Sequence, residues 1–130
     1  MARNGADFTL TFRRLSDASI SGDADPAVRS LFADPAAYDD WAHRWRRRLV
    51  EDGGDASDRR EAMRAASPAF IPRNHLVEEA LSAAVKNGEL APFERLLTVL
   101  FRPYEDHPDL GHYANPPRPD QIIRQTFCGT

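Results

Sequence analysis

Cysteine and lysine each occur once in this sequence, and its glycines are scattered. Its one cysteine, Cys128, excludes an internal disulfide framework and a cysteine-based zinc site. Lysine occurs only at Lys86, so nearly all of the 17 basic residues are arginines. The seven glycines include no Gly-x-Gly. The glycine-rich loop with which many ATP-using enzymes hold phosphate groups therefore has no counterpart here.

Long apolar runs and a strong net charge are absent as well. No run approaches the ~20 apolar residues needed to cross a bilayer, and the first residues are not followed by the apolar core of a signal peptide. The formal net charge of −3 argues against a dedicated nucleic-acid-binding protein. With 130 residues, 42% hydrophobic and 28% charged, we expect a soluble globular protein in the cytoplasm, with no membrane or nucleic-acid partner. The excess of arginine over lysine, with abundant Ala, Asp and Pro, suggests a GC-rich bacterial coding sequence.

The first apolar pattern has the spacing of one helix face and consists of Phe8, Thr11, Phe12 and Leu15. Asp7 precedes it, where its side chain can cap the N-terminus of a helix. Phe8, Leu10 and Phe12 also alternate, which leaves a strand as an alternative, and we favour the helix. Residues 16–25 are predicted to form a loop.

Two Asp-Pro pairs, Asp25-Pro26 and Asp34-Pro35, each predict the start of a helix. The aspartate can cap the helix, and the proline suits its first position, where no N–H is needed. The second helix should be long and should end at Asp52-Gly53-Gly54. One of its faces carries aromatic and apolar residues, at Tyr38, Trp41, Trp45 and Leu49.

Three further helices are predicted. One runs from Asp58 to Ala66, where Asp58 and Glu61 have the spacing of a capping box, and Pro68 follows it. The next is capped by Asn74 and closes at Gly88.

The last helix should start at Pro92 and pack antiparallel to the preceding one. The residues expected at their contact are Val77, Ala80, Leu81, Ala84 and Val85 in the first helix and Phe93, Leu96, Leu97, Leu100 and Phe101 in the second.

Proline becomes frequent after residue 102 and precludes a long helix there. We therefore expect an all-α fold with two parts. Residues 1–102 form a helical segment of about five to six helices, and residues 103–130 form an extended, proline-rich tail ending in Cys-Gly-Thr.

Candidate catalytic residues are few, and each has a simpler structural explanation. Asp7-Phe8-Thr9 is only superficially like the metal-binding Asp-Phe-Gly of kinases, and Asp7 is better explained as a helix cap. The arginines near the two tryptophans do not make one RNA-facing surface, because consecutive helical residues point in different directions. They are Arg44, Arg46, Arg47 and Arg48.

Candidate metal ligands, His107 and His112 with neighbouring Asp106 and Asp109, lie in a proline-rich loop that makes a poor metal cage. We expect His75 to be a structural, hydrogen-bonded residue at a helix start. Ser67 and Thr126 have no neighbouring base for a hydrolytic triad. From the residues alone we predict no catalytic, cofactor-binding or metal-binding residue.

Several stretches of the chain nonetheless form a pattern when they are taken in order. They are Ala6–Leu15, Pro68–Glu78, Phe93–Leu97 followed by Pro103-Tyr104, then Tyr113 and Pro116-Pro117, and the ending Thr126–Thr130. In kind and order they resemble the C-terminal helical part of the selenoprotein O family of protein adenylyltransferases (SelO, YdiU-type). The block Pro68–Glu78 carries the most specific similarity, and Ser67 departs from the asparagine usual in the family.

This resemblance implies the helical C-terminal lobe of a kinase-like (pseudokinase) fold. The family transfers AMP from ATP to Ser, Thr or Tyr hydroxyls of protein substrates, with Mg²⁺ or Mn²⁺. Its nucleotide and metal residues lie in the larger N-terminal part, whose motifs have no counterpart here, so no cofactor is expected to bind this chain. Only Cys128 carries over, as a possible redox residue, because some members have selenocysteine at that position.

Two hypotheses follow. In the first, the chain is the C-terminal part of an adenylyltransferase, with a structural or regulatory role and with the N-terminal kinase-like part as its partner, in cis or in trans. In the second, it is a free-standing, inactive helical protein that binds a partner, or the product of a truncated gene.

Cys128 is predicted to behave as an accessible thiol, because it lies near the end of the chain after a proline-rich stretch. Thiol labelling of the native chain should be as fast as labelling in denaturant, and strong protection would contradict this. In a polypeptide extended upstream, a disulfide from Cys128 to a family cysteine should give a faster-migrating band on a non-reducing gel. Cys128→Ser should remove that band.

Overall fold

The computed structural model describes residues 1–123 of the 130. Within this range the regular structure consists of helices alone, which confirms the expected all-α class. The α-helices are α1 (Phe8–Ala18), α2 (Asp25–Arg29), α3 (Pro35–Asp52), α4 (Ala56–Ala66), α5 (Asn74–Asn87) and α6 (Ala91–Leu100). Short 3-10 helices lie at Ala2–Asn4, Gly22–Ala24, Pro108–Ala114 and Pro119–Gln121. No described helix is long and apolar enough to cross a membrane.

Helix α1 begins where the apolar pattern predicts, and the strand alternative is wrong. The Asp7 carboxylate accepts a hydrogen bond from the Leu10 N–H at 2.8 Å, so the predicted cap is confirmed. The helix continues to Ala18, so the predicted loop at residues 16–25 is too long. The Ser16 hydroxyl donates to the Arg13 carbonyl one turn earlier, which lets this polar residue lie fully buried in the helix.

The two Asp-Pro pairs fold differently. Asp34 caps α3 by accepting from the Ala36 N–H at 3.0 Å, and α3 ends at Gly53, both as predicted. Asp25 does not cap α2, because it is the first helical residue and Ala24 holds the cap position. The preceding 3-10 helix already gives Asp25 a helical backbone, and its carboxylate is free for other partners.

Two further helix starts also differ from prediction. Helix α4 begins two residues earlier than expected, because Asp55 is the cap and accepts from the Ser57 and Asp58 N–H groups at 2.7 and 3.1 Å. Helix α5 has Arg73 in the cap position, and Asn74 is its first residue. The glycine end of α5 is confirmed, since Gly88 adopts the left-handed conformation with φ 67°.

The chain divides into two compact units, residues 1–69 and a second unit that starts at Phe70. In the first unit, α1 packs against α2 and α4. Its core contains buried side chains from α1, α2 and α3, with further aromatic and apolar residues against them. The buried members are Leu15, Ala18, Val28, Tyr38 and Ala42, and those packed against them include Phe12, Phe32, Trp45 and Met63.

In the second unit, α5 and α6 pack against each other, as predicted. The buried residues include Ala80 in α5 and Leu96 and Val99 in α6. Val99 was not among the residues expected at the contact, and four residues that were expected there are exposed. They are Leu81 (46% exposed), Val85 (83%), Phe93 (40%) and Phe101 (80%).

The described part of the proline-rich stretch contains 3-10 turns and one anchored aromatic residue. The Phe70 N–H donates to the Pro103 carbonyl at 3.1 Å. The 3-10 segment Pro108–Ala114 kinks at Leu110, and its Tyr113 side chain is buried. Between Pro103 and Ile123 the structure has no α-helix, in keeping with the proline content.

A pair of valines tests the packing of α5 and α6. Val99→Ala should lower the free energy of unfolding by about 2 kcal/mol, since each buried methyl-sized group contributes ~0.8 kcal/mol and a cavity remains. Val85→Ala removes the same atoms from an exposed position and should change stability by less than ~0.5 kcal/mol. Urea unfolding followed by circular dichroism measures both, and equal midpoints for the two variants would show the face assignment to be wrong.

Candidate functional site

A pocket of about 290 Å³ in the second unit contains much of the sequence block that resembles the selenoprotein O family most specifically. One wall is the connector before α5 and the first turn of that helix. The other wall is the proline-rich stretch near residue 120. The lining residues are Ile71, Pro72, Arg73, Asn74, His75, Pro117, Gln121, Ile122 and Ile123.

Local backbone rules place each wall. Pro72 restricts Ile71 to an extended conformation, and Arg73 is extended as well, with φ −74° and ψ 129°. The Arg73 carbonyl then accepts from the Leu76 and Val77 N–H groups, each at 3.0 Å, which starts α5. Arg73 is buried, at 7% exposed.

The opposite wall is held by a small closed turn. The Arg118 N–H donates to the Gln121 side-chain oxygen at 3.1 Å, and the Gln121 N–H donates to the Arg118 carbonyl at 2.9 Å. The Arg118 guanidinium also donates to Asp120, which lowers the pKa of that exposed carboxyl. These contacts fix the Pro119–Gln121 turn beside Ile122 and Ile123.

Burial and positive charge together keep His75 neutral to lower pH than usual. Burial is the largest cause of its lowered pKa, the nearby Arg73 adds to it, and Arg118 contributes further, while Glu79 acts in the opposite direction. The pocket therefore presents a neutral imidazole beside cationic guanidinium groups at pH 7.

The described lining of this pocket has no hydroxyl, thiol or carboxylate side chain. That lining therefore supplies no nucleophile, no general base to pair with His75 and no set of metal ligands. The arrangement suits binding or packing rather than bond making. The influence of Arg118 on His75 has no local signal in the sequence, although the block Pro72-Arg73-Asn74-His75 lies in the segment with the most specific family resemblance.

In the first unit, the Asp25 carboxylate has two side-chain partners in α3. It accepts from the Tyr38 hydroxyl at 2.6 Å and from the Arg46 guanidinium. Burial, followed by the hydrogen bond to Asp25, raises the pKa of the Tyr38 phenol, and the same carboxylate raises the pKa of Arg46. These side chains connect α2 with α3. The raised pKa makes the Tyr38 phenol a weaker acid than usual, so we interpret the group as structural.

The other residues considered from the sequence are separated. Arg46 pairs with Asp25, and Arg48 pairs with Asp52 at 3.0 Å within the same helix. The His107 ring lies against Phe70 and the His112 ring against Tyr113, with centroids 5.7 and 4.2 Å apart.

Nothing in residues 1–123 groups three or more His, Cys, Asp or Glu side chains so that they could hold a metal ion. Cys128 and Thr126 lie outside the described residues.

Within residues 1–123, three features common in ATP sites do not come together. Lys86, the single lysine, is exposed in the last turn of α5 rather than facing a pocket. The glycines at Gly5, Gly53, Gly54 and Gly88 have positive φ, but they are distributed among separate turns rather than forming one phosphate loop. Carboxylates in residues 1–123 do not come together in groups of three or more that could hold a metal ion.

Comparison with known proteins gives this helical chain a context. No protein-family model matches the chain. The chain is similar over its whole length to proteins called protein nucleotidyltransferase YdiU.

It is 60% identical over 136 aligned residues to one from Methylorubrum extorquens, of which it covers 27%. Those from a Bradyrhizobium species and from Rhodopseudomonas palustris are 57% and 54% identical over 130 residues, with 26% of each covered.

The matched region is the C-terminal 27% of these nucleotidyltransferases, which confirms the resemblance found in the sequence. The chain spans about a quarter of the length of the curated relatives that it matches.

The charge environment of His75 can be tested with two arginines of equal exposure. Arg118→Gln should raise the pKa of His75 toward 6.5, whereas Arg102→Gln should leave it unchanged, and both arginine side chains are 69% exposed. NMR titration of the histidine ring, assigned with His75→Gln, measures the shift.

Because the folded pKa is the lower one, the contribution of His75 to stability is present above pH 6.5 and is lost as the pH falls. An unshifted His75 titration in the unmodified chain would contradict this description.

Proposed function

We propose that this chain is the C-terminal helical part of a YdiU-type protein adenylyltransferase and supports a catalytic body that lies in the rest of the family polypeptide. That body binds ATP and Mg²⁺ or Mn²⁺ and transfers AMP to hydroxyl groups of protein substrates in the bacterial cytoplasm. The chain itself contributes packing surface and, through Cys128, a possible redox contact. By itself it has no nucleotidyltransferase activity.

The observation that carries this proposal is that the relatives are about four times as long as the region they share with this chain. The whole chain aligns with the relatives, yet it accounts for only 26–27% of their length. The described residues offer no phosphate loop, no lysine facing a pocket and no metal-binding cluster, which is consistent with a nucleotide site elsewhere in the family fold.

A complementation experiment tests the proposal. The chain alone should give no heat of binding with Mg·ATP in a calorimeter and no AMP transfer to a protein mixture. When it is added to the preceding part of the Methylorubrum extorquens relative, the two should form a complex, and the melting temperature of that part should rise, because a partner that binds the folded state stabilises it.

Micromolar binding of Mg·ATP by the chain alone would place a nucleotide site within it. Failure of the two parts to associate would favour a free-standing helical protein with another partner. Val85→Ala, an exposed substitution in the second unit, serves as a control for nonspecific loss of association.

A further inference from the structure

An aromatic groove on the first unit has an exposed, apolar lining. We define it by Met1, Phe8, Phe12, Phe32, Trp41 and Pro68, which line two adjoining cavities of about 300 and 410 Å³. Phe12 lines both cavities, so they share one wall.

The groove exposes large apolar side chains that a folded protein normally covers. Phe8 is 68% exposed although its ring lies 4.7 Å from that of Phe12. Met1 and Trp41 are 40% and 37% exposed. Aromatic residues grouped in this way are typical of the centre of an interface, where they contribute large contact area.

A single charged side chain marks the rim. Arg44 lines the larger cavity, where it is the one ionisable side chain, and within the described chain it has no hydrogen-bond or ion-pair partner. Arg47, three residues along α3, is likewise exposed and unpaired among the described residues, but it does not line the groove. A segment that binds in the groove should therefore have an apolar face and a carboxylate positioned to pair with Arg44.

We infer that the aromatic groove docks an apolar, acid-edged segment of the polypeptide that precedes this region in the nucleotidyltransferases. This inference rests on the proposed function. The matched region is the C-terminal 27% of the relatives, so the remaining length of those proteins lies before it. Met1 lines the groove, so a segment joined ahead of it, as the proposed function requires, would start at this surface without a long connection.

The test measures binding of this chain to the preceding part of the Methylorubrum extorquens relative by calorimetry, with two matched pairs of variants. Phe8→Ala should weaken binding at least about tenfold. Phe101→Ala removes a ring that is even more exposed than Phe8, at 80% in the second unit, and should stay within about twofold of the unmodified chain. Arg44→Glu should weaken binding more at low salt than at high salt, because salt screens an exposed charge pair, whereas Arg47→Glu should leave binding nearly unchanged.

Thermal unfolding of each variant alone checks that the exposed substitutions leave the fold intact. If the unmodified chain binds and the groove variants bind equally well, the proposed function stands and the groove assignment is wrong. If Phe101→Ala alone weakens binding, the docking face is on α5 and α6 instead.

If nothing binds, both the proposed function and this inference fall. Analytical ultracentrifugation of the chain alone measures whether it forms a dimer. A dimer that Phe8→Ala dissociates would make a second copy the occupant and would overturn the inference.

Discussion

The buried guanidinium of Arg13 joins the two helices that frame the first unit. It donates from α1 to the carbonyls of Arg64 and Ser67, at 3.3 and 3.0 Å, where α4 ends. Carbonyls at a helix C-terminus lack partners within the helix and carry partial negative charge, so the cation and the helix end satisfy each other. In the packed arrangement these carbonyls provide partners for a charge that is otherwise costly to bury. The Ala66–Pro68 wall of the aromatic groove therefore stays beside α1.

Arginine has the same function at other helix ends in this unit. Arg59 donates to the carbonyls of Ser19, Leu49 and Gly53, at 3.5, 3.4 and 2.7 Å, and so connects the ends of α1 and α3 with α4. Arg60 reaches the Asp17 carboxylate of α1 at 2.7 Å. A guanidinium offers five donors in a rigid fork and can serve several carbonyls at once, which a lysine ammonium does less well. A composition rich in arginine, with a single lysine, suits a fold whose helix ends are connected by guanidinium groups.

The sequence predicted the helices well because their signals are local. Asp7, Asp34 and Gly88 each act within one turn of their own position, and all three behave as predicted. Asp25 failed because the 3-10 helix before it makes it already helical, and its carboxylate then pairs with Tyr38, 13 residues away.

The faces of α5 and α6 were harder to predict, since an apolar stripe at helical spacing is wider than the surface a neighbour covers. Ala84 and Val85 both fit the pattern, yet Val85 is exposed. The pocket could not be predicted from local sequence signals, because Arg73 and His75 line it together with Gln121, which is more than forty residues further along the chain. Contacts of that kind depend on the packing of the whole unit.

The tryptophans of α3 give the molecule an optical property as well as a packing one. Trp41 and Trp45 are the two tryptophans of the chain, and their rings are stacked, with centroids 5.1 Å apart and planes at 18°. Indoles at this distance couple electronically, so the near-ultraviolet dichroism and the emission of the chain arise largely from one place. That place adjoins the aromatic groove, since Trp41 belongs to its lining. The native chain thus carries its own reporter of solvent at this surface, with no dye or label attached.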